Sequence, residues 1–217
     1  MRASREFDGI VEALRTTIKQ GWERLTAPLV TLLAEHDVTP NQVSLAGLVI
    51  AVSAAPLFAF GWFSTGAWIF AAGSVTDSID GALARRTGRT SEDGAFLDSV
   101  FDRIGEAVAL AGVAYYLAAA GSYLAVAAVV VALLGGNLTS YVRAKAEALG
   151  IACTVGWISR TERIFIMGMV LVFDQPELMA YLLAIATCFT AAQRILHVRA
   201  ALLGAASTTD APAARHS

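Results

Sequence analysis

Six apolar stretches separated by short polar turns organise this chain. They run near Val43–Phe63, Thr65–Val75, Ala95–Ala119, Tyr123–Ala144, Ile164–Phe173 and Leu178–Val198. A membrane-spanning helix needs roughly 20 predominantly apolar residues. The second stretch reaches that length only by running on to about Ala84, and the fifth only by starting back near Thr161. The pattern predicts six transmembrane helices. Ahead of them, within Phe7–Glu35, Ile10, Leu14, Ile18, Trp22, Leu25, Leu29 and Leu32 recur at steps of three or four, and Arg15, Lys19 and Arg24 lie off that stripe. Such spacing predicts an amphipathic helix. It either lies in the interface with its basic face toward anionic lipid, or packs its stripe on the bundle. The helix should end near His36-Asp37. Pro40 then reads as the first turn of the first span, with Thr39 as its N-cap. The small, polar tail Ala205–Ser217 is expected to be disordered. The expected fold is therefore all-α integral membrane. Residues 1–37 form an amphipathic juxtamembrane helix, 38–200 a six-helix domain and 201–217 a disordered cytoplasmic tail.

Composition and charge add an orientation. The chain is 56% hydrophobic and only 16% charged, and its mean hydropathy of +0.60 is too high for a soluble globular protein. The turns Gly61–Gly66, Ala119–Ser122 and Asp174–Glu177 carry no Lys or Arg. All 16 lie elsewhere: before the first span, around the second turn (Arg85, Arg86, Arg89, Arg103), around the fourth (Arg143, Lys145, Arg160, Arg163) and at the C-terminal end. Alternate loops thus hold the positive charge, which makes those loops and both termini cytoplasmic. The expected location is a cell membrane, crossed several times. The N-terminus is charged and shows no short apolar core with a cleavage site, so no cleavable signal peptide is expected. Net charge is −2 with signs segregated locally, and no nucleic-acid partner is expected. Cys153 and Cys188 fall in a cytoplasmic segment and mid-span, without metal-ligand spacing or a ready disulfide.

The chemistry is concentrated where the second span ends and the third begins, in DSIDGALARRTGRTSEDGAFLDSVFDR. Asp77, Asp80, Gly81, Ala84 and Arg85 fall on or beside one helical face. Gly81 and Ala84 remove bulk there, so a large group could approach the backbone. Arg85 offers a planar cation suited to a phosphate. Asp98 and Asp102 are four residues apart on the next helix. If the two helices pack side by side, all four carboxylates converge. Burying carboxylates near a membrane is costly without a compensating cation. Oxygen-only ligands favour hard divalent ions, Mg²⁺ or Mn²⁺, and two such ions could clamp a pyrophosphate and stabilise displacement at phosphorus. Two alternatives stand beside this reading. One is a salt-bridge network of the aspartates with Arg85, Arg86, Arg89 and Arg103. The other is a cation-transport path lined by carboxylates, although the extracellular half has almost no ionisable side chains.

Asp77-x-x-Asp80-Gly81-x-x-Ala84-Arg85, eight residues, then Gly94-x-x-x-Asp98-x-x-x-Asp102 matches at each fixed position the signature of the CDP-alcohol phosphotransferase family, also called CDP-alcohol phosphatidyltransferases. The chain is identified by it as a member. The resemblance implies a six-helix membrane enzyme, commonly a homodimer. It implies transfer of a substituted phosphate from a CDP-linked donor to an alcohol, with release of CMP. Asp77, Asp80 and Asp98 would then ligate two Mg²⁺ ions, with Mn²⁺ as the alternative. Asp102 would contact the second ion and act as general base on the incoming hydroxyl. Gly81 and Arg85 would contact the cytidine diphosphate, as would Pro40, Asn41, Gln42 and Val43 at the start of the first span, and Ser91. An active site at the interface suits CDP-diacylglycerol as donor, with its tails still in the bilayer.

A second cluster bears on the acceptor. Arg143 and Lys145 close the fourth span, and Arg160 and Arg163 open the fifth. Four cations suit a phosphorylated polyol, or are ordinary positive-inside charge partnered by Glu147 and Glu162. The runs SYVRAKAEALG and GWISRTERI resemble those of bacterial, above all actinobacterial, phosphatidylinositol phosphate synthases. That likeness implies inositol 1-phosphate (1D-myo-inositol 3-phosphate) as acceptor, held by Lys145, Arg163, Arg143, Arg160 and Arg194 or Arg199. Glycerol 3-phosphate would need the same cations. Glu106, one turn beyond Asp102, either lines the acceptor pocket or pairs with a cation from a neighbouring helix. Asn137 is expected to hydrogen-bond between helices.

Overall fold

The computed structural model of the chain describes residue 21 and residues 24–209, with side chains as far as Gly204. Among these residues seven helices form and no strand does: α1 over 24–35, α2 Pro40–Ala59, α3 Phe63–Thr87, α4 Glu92–Ala119, α5 Tyr123–Ala148, α6 Arg160–Val172 and α7 Pro176–Thr209. They make two compact units. One takes in the described residues up to Val49 together with Ala72–Asp102; the other takes in Ile50–Ala71 and everything from Arg103 on.

The first unit is knit by a small apolar cluster of Val30, Val43, Ile79 and Leu83. From α1, Thr26 and Val30 are buried, whereas Leu25, Leu29 and Leu32 are 72%, 44% and 52% exposed. The leucines of the apolar stripe therefore face outward, and a different face of α1 is the packed one. The stripe's earlier members, Ile10, Leu14, Ile18 and Trp22, lie outside the described residues. Helix α1 closes with Asp37 at a positive φ of 55°, and Val38 N–H donates to Leu33 O at 3.1 Å. Helix α2 then opens with a capping box. Gln42 N–H donates to Thr39 Oγ1 at 3.3 Å, and Thr39 N–H donates to Gln42 Oε1 at 2.9 Å. Each satisfies a backbone donor that the first turn would otherwise leave orphaned. Gly47 lets α2 meet α3 closely, since a side chain there would strike Thr76.

The second unit is cored by Phe58, Phe63, Phe70, Leu110, Leu117 and Met167 with their neighbours. Tyr116 meets Phe63 edge-on at 4.7 Å between ring centroids. Gly61 and Gly121 turn the chain at φ of 80° and 78°. Close approach also fixes Gly112: a Cβ there would collide with the Ala55 carbonyl. Gly112→Val is expected to cost about 1–3 kcal/mol or more by overpacking. It should lower the thermal midpoint of the detergent-purified protein. Gly168→Ala serves as the control, because a Cβ at that position meets nothing within 4 Å.

Among the described residues, three helices are long and apolar enough to cross a membrane: Pro40–Ala59, Tyr123–Ala148 and Pro176–Gly204. Helices α3 and α4 are longer than a span needs but carry the aspartate motif. Helix α6 has 13 residues, about 20 Å at 1.5 Å per residue. Helix α7 departs from the expected boundary. It runs to Thr209, so residues 201–209 are helical where an unstructured tail was expected. The run Ala-Leu-Leu-Gly-Ala-Ala contains good helix formers, and the first proline after it is Pro212. Residues 210–217 lie outside the described residues.

Candidate active site

Helices α3 and α4 build the first part of the site. Asp77, Asp98 and Asp102 each offer a carboxylate oxygen, all within 4.8 Å of one another, and all three side chains are partly buried. Three oxygens converging this closely suit a hard divalent cation whose remaining positions are filled by water or phosphate. Asp80 lies outside that group. It is buried, at 6% exposure, and its Oδ2 accepts from the hydroxyl of buried Ser44 on α2. Pro40 O, 3.1 Å from the same Oγ, is the alternative acceptor for that one proton. Sequence reasoning missed Ser44, since a serine in an apolar helix ordinarily satisfies itself on its own backbone.

A cleft of about 250 Å³ opens beside these carboxylates, within the same unit. Of the residues expected to hold the donor, Pro40, Asn41, Gly81, Arg85 and Ser91 line it, together with Asp77, Asp80 and Asp98. Gly94 packs where a Cβ would press on Ser91 Oγ at 3.1 Å and Asn41 Oδ1 at 3.3 Å. Ser91 also caps α4, accepting from Gly94 N–H at 3.0 Å. Gln42 and Val43 are not part of the lining. Gln42 is spent on the capping box, and Val43 is buried in the apolar cluster. Arg89, Thr90 and Ser44 line the cleft without having been anticipated.

The second cluster belongs to the other unit and is more tied up than its charge count suggests. Arg163 is buried at 4% exposure. Its Nε and Nη2 donate to the two carboxylate oxygens of Glu106 at 2.9 and 2.8 Å, and its guanidinium lies against Gly136. Of the two roles open to Glu106, pairing with a neighbouring helix is the one seen. Arg194, also buried, donates to Thr139 O at 2.7 Å and Val155 O at 2.9 Å. With Thr190, Gln193 and His197 it ties the segment after α5 down onto α7. Arg143 pairs with Glu147 at 2.8 Å on the exposed face of α5. Lys145 and Arg199 are exposed, and Arg160 is partly so. Glu162 accepts from Ser159 N–H at 2.7 Å, capping its own helix. Asn137 donates to Leu133 O on its own helix at 3.1 Å, in place of the expected bond between helices.

The family model described as CDP-alcohol phosphatidyltransferase matches residues 37–198. The chain belongs to that family. It is accordingly a phosphatidyltransferase, and the match with its apolar helices makes it a membrane protein. Among the family's members, a phosphatidylinositol phosphate synthase from Cutibacterium acnes is 38% identical over 199 residues, 84% of this chain and 96% of that one. An archaetidylinositol phosphate synthase from Pyrococcus horikoshii is 32% identical over 191 residues, 88% and 97% of the two chains. The Mycobacterium tuberculosis phosphatidylinositol phosphate synthase, solved with CDP-DAG bound, superposes with a TM-score of 0.76 at 30% identity. That likeness covers 81% of this chain and 94% of that one. The same enzyme solved with manganese and citrate gives 0.76 at 29%, covering 80% and 88%.

Proposed function

We propose that this phosphatidyltransferase moves the phosphatidyl group of CDP-diacylglycerol onto inositol 1-phosphate and releases CMP. Convergence of Asp77, Asp98 and Asp102 beside a cleft lined by the rest of the family signature carries the reaction. The names of the relatives carry the acceptor, and the mycobacterial complex supports the donor.

The residues divide the work. Arg85, Gly81, Asn41, Pro40 and Ser91 hold the cytidine diphosphate in the cleft. Asp77, Asp98 and Asp102 ligate two divalent ions, for which Mg²⁺ fits the all-oxygen donor set. Asp80 adds the oxygen that Ser44 does not engage. When bound, the ions neutralise the charge that grows on the pyrophosphate. Asp102 takes the proton of the incoming hydroxyl as its oxygen attacks the β-phosphorus. Lys145, Arg143 and Arg160 meet the acceptor phosphate. Arg163 and Arg194, engaged inside the protein, hold the segments that carry them.

The layout proposed with this function has α1 in the cytoplasmic interface, α2 to α7 as six spans over residues 38–200, and both termini cytoplasmic. The outward leucines of α1 support it, as does the confinement of Lys and Arg to alternate loops. A homodimer is proposed from the family resemblance. The acceptor is tested by competition among inositol 1-phosphate, free inositol and glycerol 3-phosphate, with CMP release as the readout. Preference for inositol 1-phosphate is expected. Preference for either of the others would overturn the assignment.

A further inference from the structure

Arg89 lines the cleft but belongs to none of the signature positions. It sits just past the end of α3, where Gly88 turns the chain at φ 68°. Its own N–H donates to Ala84 O at 3.0 Å, which closes the helix. This glycine-based cap fixes the Arg89 backbone independently of its side chain. The side chain reaches the end of α1, where Nη2 lies 3.0 Å from Asp37 Oδ1. Asp37 is fixed in turn, since it occupies the left-handed turn that closes α1. Two helix ends are thus joined by one ion pair at the cleft.

Two features argue that this pair does more than brace the fold. First, its side chains are 46% and 87% exposed, and pairs in water contribute only about 0–1 kcal/mol. Second, the bond engages one of the five N–H groups of a guanidinium, so donors remain for a second anion. The cleft needs such donors. Its lining holds Asp77, Asp80 and Asp98 against the cations Arg85 and Arg89, and a diphosphate brings further negative charge.

We propose that Arg89 is a second arginine contact for the diphosphate of the nucleotide donor, held over the cleft by Asp37 acting as a positioning residue. The inference rests on the cleft being the CDP-donor site. Asp37 orients the planar fork through Nη2 before the donor arrives, and the remaining N–H groups take phosphate oxygens in charge-assisted bonds. Neither residue takes part in the chemical step, so the effect belongs in donor affinity rather than turnover.

The test uses the full chain in detergent. Calorimetry measures CDP and cytidine binding, and steady-state assays give KM for CDP-diacylglycerol and for the acceptor. Arg89→Gln is expected to weaken CDP binding and raise donor KM by about tenfold, the scale of one charge-assisted bond. It should leave cytidine binding, acceptor KM and kcat within about twofold. Asp37→Asn should weaken CDP binding by about twofold to fivefold, as loss of one surface ion pair implies. The double variant should bind no more weakly than Arg89→Gln, because Asp37 acts through Arg89. Unchanged CDP affinity in Arg89→Gln would overturn the proposal, as would additive losses in the double variant. Absence of CDP binding by the unmodified chain would instead sink the donor-site reading itself, and thermal midpoints of both variants exclude misfolding.

Discussion

Asp102→Asn is expected to lower turnover by about 10²–10⁴-fold, the usual contribution of a positioned general base, while CDP binding changes little. The substitution keeps the shape of the side chain and removes both its charge and its capacity to accept a proton. Asp102 sits with Asp77 and Asp98 in one group of carboxylates, yet it is not part of the cleft lining that Arg85, Asn41 and Ser91 form. Binding and chemistry should therefore separate at this position. Calorimetry with CDP measures the first, and CMP release from CDP-diacylglycerol measures the second. Turnover within tenfold of the unmodified enzyme would remove Asp102 from the role of base. A parallel loss of CDP affinity would mean that its charge serves the ground state, because uniform binding and transition-state binding fail together in that case.

The grouping of Asp77, Asp98 and Asp102 could be read in advance from their spacing. Asp98 and Asp102 are one turn apart on α4, and carboxylates gathered beside apolar spans are costly without a compensating cation. What spacing did not show is which neighbour each group turns to. Asp80 is three residues beyond Asp77, close enough on a helical projection to share its partners, but it is met by Ser44 from α2. Gln42 looked like part of the donor site, although Thr39-Pro40-Asn41-Gln42 also spells a capping box, and the local hydrogen bonds took precedence. On α1, periodicity predicts an apolar stripe, but not whether lipid or protein covers it; Thr26 and Val30, off that stripe, are the buried residues among those described. The cations show the same limit most clearly. Counting charge near residues 143–163 predicts a positive patch. Partners that are 57 positions apart in sequence, such as Glu106 and Arg163, emerge only when the helices are assembled.

That pair should be the most sensitive point of the second unit. Glu106→Ala would leave the Arg163 guanidinium buried, with Thr139 Oγ1 at 3.4 Å as its remaining side-chain partner seen here. Removing one member of a buried ion pair costs about 3–5 kcal/mol, because the other charge stays desolvated. The expected result is a clear fall in the thermal midpoint and in the yield of detergent-soluble protein. Replacing both members by apolar residues of similar size, as in Glu106→Leu with Arg163→Met, removes the stranded charge and should restore most of the loss. The double variant also tests what Arg163 does for the reaction. If it only holds the opening of α6 in place, acceptor KM returns with stability. If its guanidinium also meets the acceptor phosphate, stability returns and acceptor KM stays high. A single Glu106→Ala variant as stable as the unmodified protein would show that the pair is already solvated, and neither role for Arg163 would then follow from its burial.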